Sequence, residues 1–338
     1  MTTSVAPLRK RLRRAVLSTF ESLPPEYLEQ SDAFLAQLRG RLVPRVRSER
    51  VPHEAEAPIL GRVLVASANG LLLWQDDHCR RLIGGFFYGL ARAGAHWYAF
   101  RRVTERSGQI LRFRLVDGAV EDLECVVKGL SPEIHQMDVW SGHLHATDTA
   151  TNRILSYRIG PGGGLRRSAT KEPVGPARGV EHPNYVHLNS LYRSDGRVFL
   201  VFHNQSRKTG RSSEVAILSD ELRLIERRSI DARCAHNFAI VRGRWIFCDS
   251  MGGRVGIGDK FVELGTFTRG LVVRGNRAVV GGSNFGERTR RRDGSGFLYE
   301  LDLDSVTVTG RVTLGGSGSI YELRGLDQGD LGQSEGAG

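Results

Sequence analysis

The sequence predicts an all-β protein, a six-bladed β-propeller with an N-terminal helical extension. Six segments align without gaps as first strands of a repeat, and their starts lie 47, 52, 49, 33 and 52 residues apart. A four-stranded blade needs about 40–50 residues, so this interval is typical of a propeller. The 41 glycines and modest aromatic content of 8% favour short strands joined by tight turns. The aligned segments are FYGLARA (87–93), IHQMDVW (134–140), VHLNSLY (186–192), AHNFAIV (235–241), TRGLVVR (268–274) and IYELRGL (320–326).

The two ends of the repeat region complete each other. IYELRGL at 320–326 is a first strand with no second strand after it, whereas GRVLVASAN at 61–69 is a second strand with no first strand before it. We therefore expect the strand at 320–326 to join the sheet of 62–68, which would close the ring and leave no open edge. The short interval of 33 residues still leaves RVGIGDKFVELG for two brief outer strands. A β-sandwich with irregular repeats is the alternative architecture.

Three regions follow from this pattern: a helical extension over 1–57, the propeller over 58–326 and a flexible tail over 327–338. The helical extension is predicted from the spacing of apolar residues, because Leu8, Leu12, Val16 and Phe20 recur every four residues among arginines. A second helical stretch, EYLEQSDAFLAQLRGRL, follows Pro24-Pro25. Packing on its own domain is the favoured role for this basic amphipathic segment, and contact with a partner, a second copy or a membrane surface is the alternative.

The net charge, the cysteines and the lack of long apolar runs limit the partners and the cellular locations that we expect. The net charge of +11 comes from 43 arginines and only five lysines, spread along the chain without an aromatic-interleaved basic patch. This argues against a nucleic-acid partner. The four cysteines form no CxxC pair, and the N-terminus lacks the apolar core of a signal peptide. No apolar run approaches the ~18 residues of a membrane span. The expectation is a soluble, cytoplasmic protein.

One column of residues carries the predicted chemistry. Equivalent strand positions in successive blades face the same way, because strand side chains alternate with period two. Three consecutive blades therefore aim histidines at a shared channel, where neutral imidazoles could hold a divalent transition metal such as Fe, Zn, Mn or Cu. A polar, water-filled channel whose histidines bond one another or an anion is the alternative. The second residues of the aligned strands are Tyr88, His135, His187, His236, Arg269 and Tyr321.

Further polar residues near this column are candidates for the site. Asp138, Asn189 and Asn237 could orient the imidazoles. The two asparagines could also contact substrate, and Arg269 could clamp a carboxylate or phosphate. Arg269 could instead pair with Glu322 and be structural. His203 and the arginine-rich hairpin at 287–296 are interpreted as packing or solvated groups, with a role at a channel mouth as the alternative. The catalytic candidates for proton transfer are Tyr88, Asp138, Tyr321 and Glu322.

With these repeats, residues 58–326 resemble the superfamily of six-bladed propellers that includes gluconolactonases and strictosidine-synthase-like proteins. Members with a catalytic calcium hold it with Glu, Asn and Asp, whereas this chain offers His135, His187 and His236, so the resemblance does not imply a calcium lactonase. The channel is similar in kind to those of carotenoid-cleaving oxygenases and oligogalacturonate lyases, which hold iron or manganese with histidines. The expected function is a metal-dependent enzyme acting on a small anionic substrate, with oxygenase or lyase chemistry favoured over hydrolysis, which stays open. The alternative is a non-catalytic propeller that binds a protein or ligand partner.

Overall fold

Six antiparallel sheets form the blades of a β-propeller in this computed structural model, which describes residues 46–59, 61–175, 185–286 and 290–326. The innermost strands of successive blades contact one another in a closed ring. The prediction of an all-β, six-bladed propeller is therefore confirmed. Blade 1 contains β1 (Val46–Arg50), β3 (Val63–Ser67), β4 (Gly70–Gln75), β5 (His78–Gly84) and β26 (Ile320–Gly325).

Blades 2 to 4 are four-stranded meanders. Blade 2 contains β6 (Phe86–Ala93), β7 (His96–Arg102), β8 (Gly108–Val116) and β9 (Ala119–Leu130). Blade 3 contains β10 (Ile134–Trp140), β11 (His143–Asp148), β12 (Arg153–Ile159) and β13 (Leu165–Lys171). Blade 4 contains β14 (Leu188–Ser194), β15 (Arg197–Phe202), β16 (Glu214–Ser219) and β17 (Leu224–Ser229), and the short helix α1 (Ser206–Thr209) follows β15.

Blades 5 and 6 complete the ring. Blade 5 contains β18 (Ala235–Val241), β19 (Arg244–Asp249), β20 (Arg254–Ile257) and β21 (Lys260–Glu263). The two brief outer strands expected from RVGIGDKFVELG are thus β20 and β21. Blade 6 contains β2 (His53–Ala57), β22 (Phe267–Arg274), β23 (Arg277–Ser283), β24 (Gly296–Asp302) and β25 (Thr307–Leu314).

Strands from both ends of the described chain close the ring. β26 pairs antiparallel with β3, with Leu323 opposite Val65, as the complementary ends of the sequence predicted. The segment before residue 58 does not continue as a helix, because β1 adds to the outer edge of blade 1 and β2 to the outer edge of blade 6. Residues 46–57 therefore belong to the propeller. The helical prediction for residues 1–45 and the tail prediction for 327–338 lie outside the described residues.

Tight turns and apolar faces explain why these segments fold as blades. Asp117-Gly118 and Asp195-Gly196 have positive φ at both residues, which is the two-residue turn that matches the twist of a hairpin. Neighbouring blades pack their apolar faces together, as where the Phe199 ring of blade 4 stacks on Phe238 of blade 5 at 5.4 Å between centroids. Burying each such side chain contributes roughly 1.5–3 kcal/mol. No helix in the described residues is long and apolar enough to cross a membrane.

Candidate functional site

A β-bulge at the same place in every inner strand shapes the channel. The pairing of each inner strand with the second strand of its blade shifts register near its start. Bulges of this kind re-aim side chains and are common next to active sites. In β22 the bulge contains Gly270, whose φ is 82°, and a Cβ there would lie 2.6 Å from Leu323 Cγ. In blade 4 the register shifts between Leu188 and Ser190, and His187, just before this strand, has φ 54° and a backbone N–H that donates to Asn152 Oδ1 at 2.8 Å.

The bulges gather the six predicted column residues around one cavity of about 1030 Å³. Blade 4 adds His203 to this lining, and blade 5 adds Cys234. The column residues on the cavity wall are Tyr88, His135, His187, His236, Arg269 and Tyr321. The other four sequence candidates, Asp138, Asn189, Asn237 and Glu322, are buried but do not line the cavity.

Four imidazoles form a continuous histidine cluster in the cavity wall. The His135 ring centroid lies 5.2 Å from that of His187 and 6.1 Å from that of His236. His203 stacks on His187 with centroids 3.9 Å apart and lies 6.2 Å from His236. Within the described ranges, however, no group of three or more His, Cys, Asp or Glu side chains is arranged to hold a metal ion.

Hydroxyl groups hold two of these imidazoles. Thr149 Oγ1 lies 2.7 Å from His135 Nδ1, and Ser250 Oγ lies 2.7 Å from His236 Nδ1. Each hydroxyl belongs to the first residue after the second strand of its blade, and each is fully buried. The equivalent position of blade 4 is His203. These two imidazoles are therefore oriented by residues just beyond the second strands and not by Asp138, Asn189 or Asn237.

Arg269 is the central charge of the cavity. Its guanidinium donates to His236 Nε2 and lies over the rings of Phe267 and Tyr321, at 5.6 and 5.4 Å from their centroids. The side chain is 6% exposed and has no carboxylate partner among the described residues. Burial, together with the charge of Arg291, lowers the pKa of Arg269 to about 10. Burial also lowers the pKa of His236 well below its ordinary value, with the charge of Arg269 as the next cause.

Two tyrosines form the wall beside Arg269. The rings of Tyr88 and Tyr321 lie 4.4 Å apart, and Tyr88 lies 5.3 Å from His135. Burial raises the pKa of Tyr321 to about 12, since the phenolate would lose its hydration. Tyr321 is therefore a neutral hydrogen-bonding group near pH 7, and ready donation of its proton is disfavoured.

The cavity is bordered mainly by cations. Arg291 lies 5.9 Å from the centroid of the Tyr321 ring, and the exposed Arg290 is 3.9 Å from Asp293. Such an excess of positive charge attracts anions and raises their local concentration. Among the described residues, the cations that line the cavity are Arg102, Arg207, Lys208, Arg269, Arg290 and Arg291, and the lining acids are Glu133 and Asp293.

The four remaining candidates tie the inner strands together. Asn237 is a hub of four blades: its backbone N–H donates to Ser190 Oγ at 2.6 Å, its Oδ1 accepts from Gly270 N at 2.7 Å, and its Nδ2 donates to Glu322 Oε1 at 3.0 Å. Asn189 Nδ2 donates to Ala235 O at 2.6 Å. These contacts give Asn189 and Asn237 a structural role between blades.

The two carboxylates of this layer are buried. Asp138 Oδ1 accepts from the Val139 backbone N–H at 2.8 Å, and burial raises its pKa above the ordinary value. Burial raises the pKa of Glu322 to about 7, although the nearby Arg324 opposes the shift. Glu322 is bonded to Asn237 and Leu323 and not to Arg269. The alternative in which Glu322 neutralises Arg269 is therefore wrong.

Sequence reasoning missed Thr149 and Ser250, and for His203 and the hairpin that contains Arg291 it favoured packing or solvent over a role at the channel mouth. A signal was present for the first three, because each immediately follows the second strand of its blade. Aligning the second strands as well as the first would have placed them in one column. Arg291 lies in the arginine-rich hairpin, where nothing in the local sequence distinguishes it from Arg290 and Arg292.

Comparison with known proteins identifies the architecture alone. No family model matches the chain, and no curated protein matches it in sequence. Among solved structures, a Lactobacillus plantarum protein is 12% identical with a TM-score of 0.53, over 80% of this chain and 100% of that one. A chain of the nidogen/laminin complex is 10% identical with a TM-score of 0.56, over 78% and 97%. The periplasmic gluconolactonase of Pseudomonas aeruginosa is 10% identical with a TM-score of 0.50, over 78% and 98%. At such identities the likeness shows that the chain has the fold of these propellers.

Proposed function

We propose that the protein is an enzyme that binds a small anionic molecule in its central cavity and acts on it by acid–base chemistry. The observation that carries the proposal is Arg269, a buried guanidinium without a carboxylate partner among the described residues. A buried, uncompensated charge costs several kcal/mol. A carboxylate or phosphate ligand would offset that cost and would use the planar fork of donors that arginine offers.

The surroundings of Arg269 support both parts of this proposal. The cations around the cavity would favour entry of an anion, and Arg291 lies beside the same Tyr321 ring as Arg269. His135 and His187 lie on the wall adjoining the His236–Arg269 pair. Imidazole is the side chain most often used for general acid–base catalysis. Because a gluconolactonase shares the fold, lactone hydrolysis is the first reaction to assay.

Calorimetric titration with inorganic phosphate, gluconate and uncharged glucose tests the binding step. We expect the two anions to bind and glucose not to bind. Charge-assisted hydrogen bonds contribute about 1.5–3 kcal/mol each, so Arg269→Gln should weaken anion binding roughly 10- to 100-fold. Arg269→Lys should also weaken it markedly, because a point charge does not replace the fork. Equal affinities in wild type and both variants would overturn the proposal.

A matched control separates this site from general charge effects. Arg92 is exposed on the inner strand β6, so Arg92→Lys should leave anion affinity unchanged. Hydrolysis of 6-phosphogluconolactone, a lactone that carries a phosphate and is therefore an anion, then tests the enzymatic step through the acid that it releases. Loss of turnover in His135→Gln with retained phosphate affinity is the expected result. Anion binding without turnover of any lactone or ester would instead indicate a non-catalytic binding propeller.

A metal-dependent oxygenase or lyase is the second candidate, and the histidine cluster favours it. The Nδ1 atoms of His135 and His236 are held by hydroxyls, as in many metal sites where the second ring nitrogen is anchored. The arrangement does not fit a three-histidine ion site, however, because the Arg269 guanidinium bonds to His236 Nε2, the atom that would face the ion. A cation would have to displace this guanidinium to gain the third ligand.

Elemental analysis of the purified protein distinguishes the two candidates. We expect Fe, Zn, Mn and Cu to be substoichiometric and unchanged by His135→Ala. Stoichiometric metal that is lost in His135→Ala, His187→Ala and His236→Ala would favour the metalloenzyme. In that case Arg269→Gln should tighten metal binding, since the competing guanidinium is removed.

A further inference from the structure

We infer that Thr149 and Ser250 are positioning residues that fix His135 and His236 in one tautomer, with hydrogen on Nδ1 and a lone pair on Nε2. The argument for His135 starts from a count of protons. Thr149 Oγ1 lies 2.5 Å from Leu188 O and 2.7 Å from His135 Nδ1. A hydroxyl has one proton and a carbonyl can only accept, so that proton goes to Leu188 O. The Thr149 oxygen then accepts from Nδ1–H.

The same count applies to His236, and a second contact supports it independently. Ser250 Oγ lies 2.6 Å from Thr268 O and 2.7 Å from His236 Nδ1. The serine proton goes to Thr268 O, so Nδ1 carries the hydrogen. Arg269 bonds the other ring nitrogen, and a guanidinium has only donors. Nε2 must therefore be the acceptor, which gives the tautomer that Ser250 requires.

The two hydroxyls form a repeated device. Each lies 14 residues after the histidine it holds, at the first position beyond the second strand of its blade. Each also donates to the inner strand of the following blade, Thr149 to blade 4 and Ser250 to blade 6. In blade 4 this position is His203, which stacks on His187. The tautomers are thus tied to the packing of neighbouring blades.

This tautomer indicates which chemical groups the ligand carries. The inference about the ligand rests on the proposed function. Nε2 of His135 is an acceptor, and Arg269 is a donor. Both residues line the cavity, and the His135 ring lies 6.1 Å from His236, which Arg269 contacts. The complementary small molecule is an anion that also carries a hydroxyl group. The hydroxyl would donate to His135 and the carboxylate or phosphate would bind Arg269.

Nitrogen NMR of ¹⁵N-histidine-labelled protein tests the tautomer without any ligand. Neutral imidazole nitrogens with and without hydrogen differ in chemical shift, and His135→Gln and His236→Gln assign the signals. We expect Nδ1–H for both residues in wild type. Thr149→Val should change His135 alone and Ser250→Ala should change His236 alone, while Thr149→Ser and Ser250→Thr should keep the wild-type pattern. Hydrogen on Nε2 of either histidine in wild type, or no change in Thr149→Val, would overturn the inference.

Affinities for malate and succinate test the ligand class, because the two dianions differ by one hydroxyl. We expect malate to bind wild type about fivefold more tightly, as one hydrogen bond provides. Thr149→Val should reduce that preference below twofold with succinate affinity unchanged, and Arg269→Gln should weaken both anions alike. Equal binding of both to wild type would refute the hydroxylated ligand but not anion binding. If neither binds, the proposed function fails and the NMR result still decides the tautomers.

Discussion

Glu322 should make the stability of the propeller fall as pH rises through neutrality. Its carboxyl group is 1% exposed, and burial raises its pKa from 4.5 to about 7. Between these two values the folded state binds more protons than the unfolded state. The free energy of unfolding therefore decreases with increasing pH in that window, and the full loss is present above pH 7.

The size of this effect follows from the shift. One pKa unit corresponds to about 1.4 kcal/mol, so Glu322 should remove roughly 2–3 kcal/mol between pH 5 and pH 8. In Glu322→Gln the amide oxygen can still accept from Asn237 and Leu323, but the group stays neutral. The variant should lose less stability than wild type over this range, by that same amount. This corresponds to roughly 4–10 °C in melting temperature.

Thermal and urea unfolding of both proteins at pH 5 and pH 8 provides the measurement. Glu226→Gln is the control, because Glu226 is exposed and bonded to Arg228, which lowers its pKa. That change should not reduce the loss of stability between pH 5 and pH 8. The same loss in Glu322→Gln as in wild type would refute the assignment of a neutral Glu322 at pH 5.

Three further changes test the architecture. Gly270→Ala should destabilise the fold by about 2–4 kcal/mol, since the φ of Gly270 is positive and a Cβ would approach Leu323 N to 2.9 Å. Urea unfolding measures this loss. Gly94→Ala is the milder control, because Gly94 also has a positive φ but has open space around it. Asn237→Ala should cost about 2–4 kcal/mol because Gly270 N loses its acceptor and Glu322 loses one of its two donors. A loss below about 1 kcal/mol would contradict the role of Asn237 as a hub. Truncation after residue 319 removes β26 and should yield an insoluble or unfolded chain by circular dichroism, whereas truncation after 326 should retain the fold.

The fold could be predicted from the sequence because the inner strands repeat. The site could be predicted only in part, because its details depart from that repeat. The inner strands are similar in length and share a pattern of apolar residues, so IHQMDVW and AHNFAIV could be recognised as β10 and β18 to the residue. The strands β1 and β2 lack this pattern. Their pairing with β5 and β25 depends on partners far along the chain, which local helical spacing in the preceding residues does not reveal.

For the site, the prediction that six equivalent strand positions line one cavity is confirmed, because equivalent positions in successive blades face the same way. The residues directly after this position alternate away from the cavity, so Asn237 and Glu322 point to neighbouring blades and not to the imidazoles. The register shifts beside these residues were not predicted. A bulge is a relation between two strands, and one strand's sequence does not specify it.

The way the ring closes has a consequence during synthesis of the chain. β3 lacks its inner neighbour until β26 has been made, and β2 lacks its neighbour until β25 has been made. Residues 85 to 319 therefore leave the ribosome while the inner edge of the first blade is unpaired. Such an edge readily pairs with other chains. The nascent protein should depend on chaperones until its last strand emerges, and its yield should respond to the rate of elongation through the final blade.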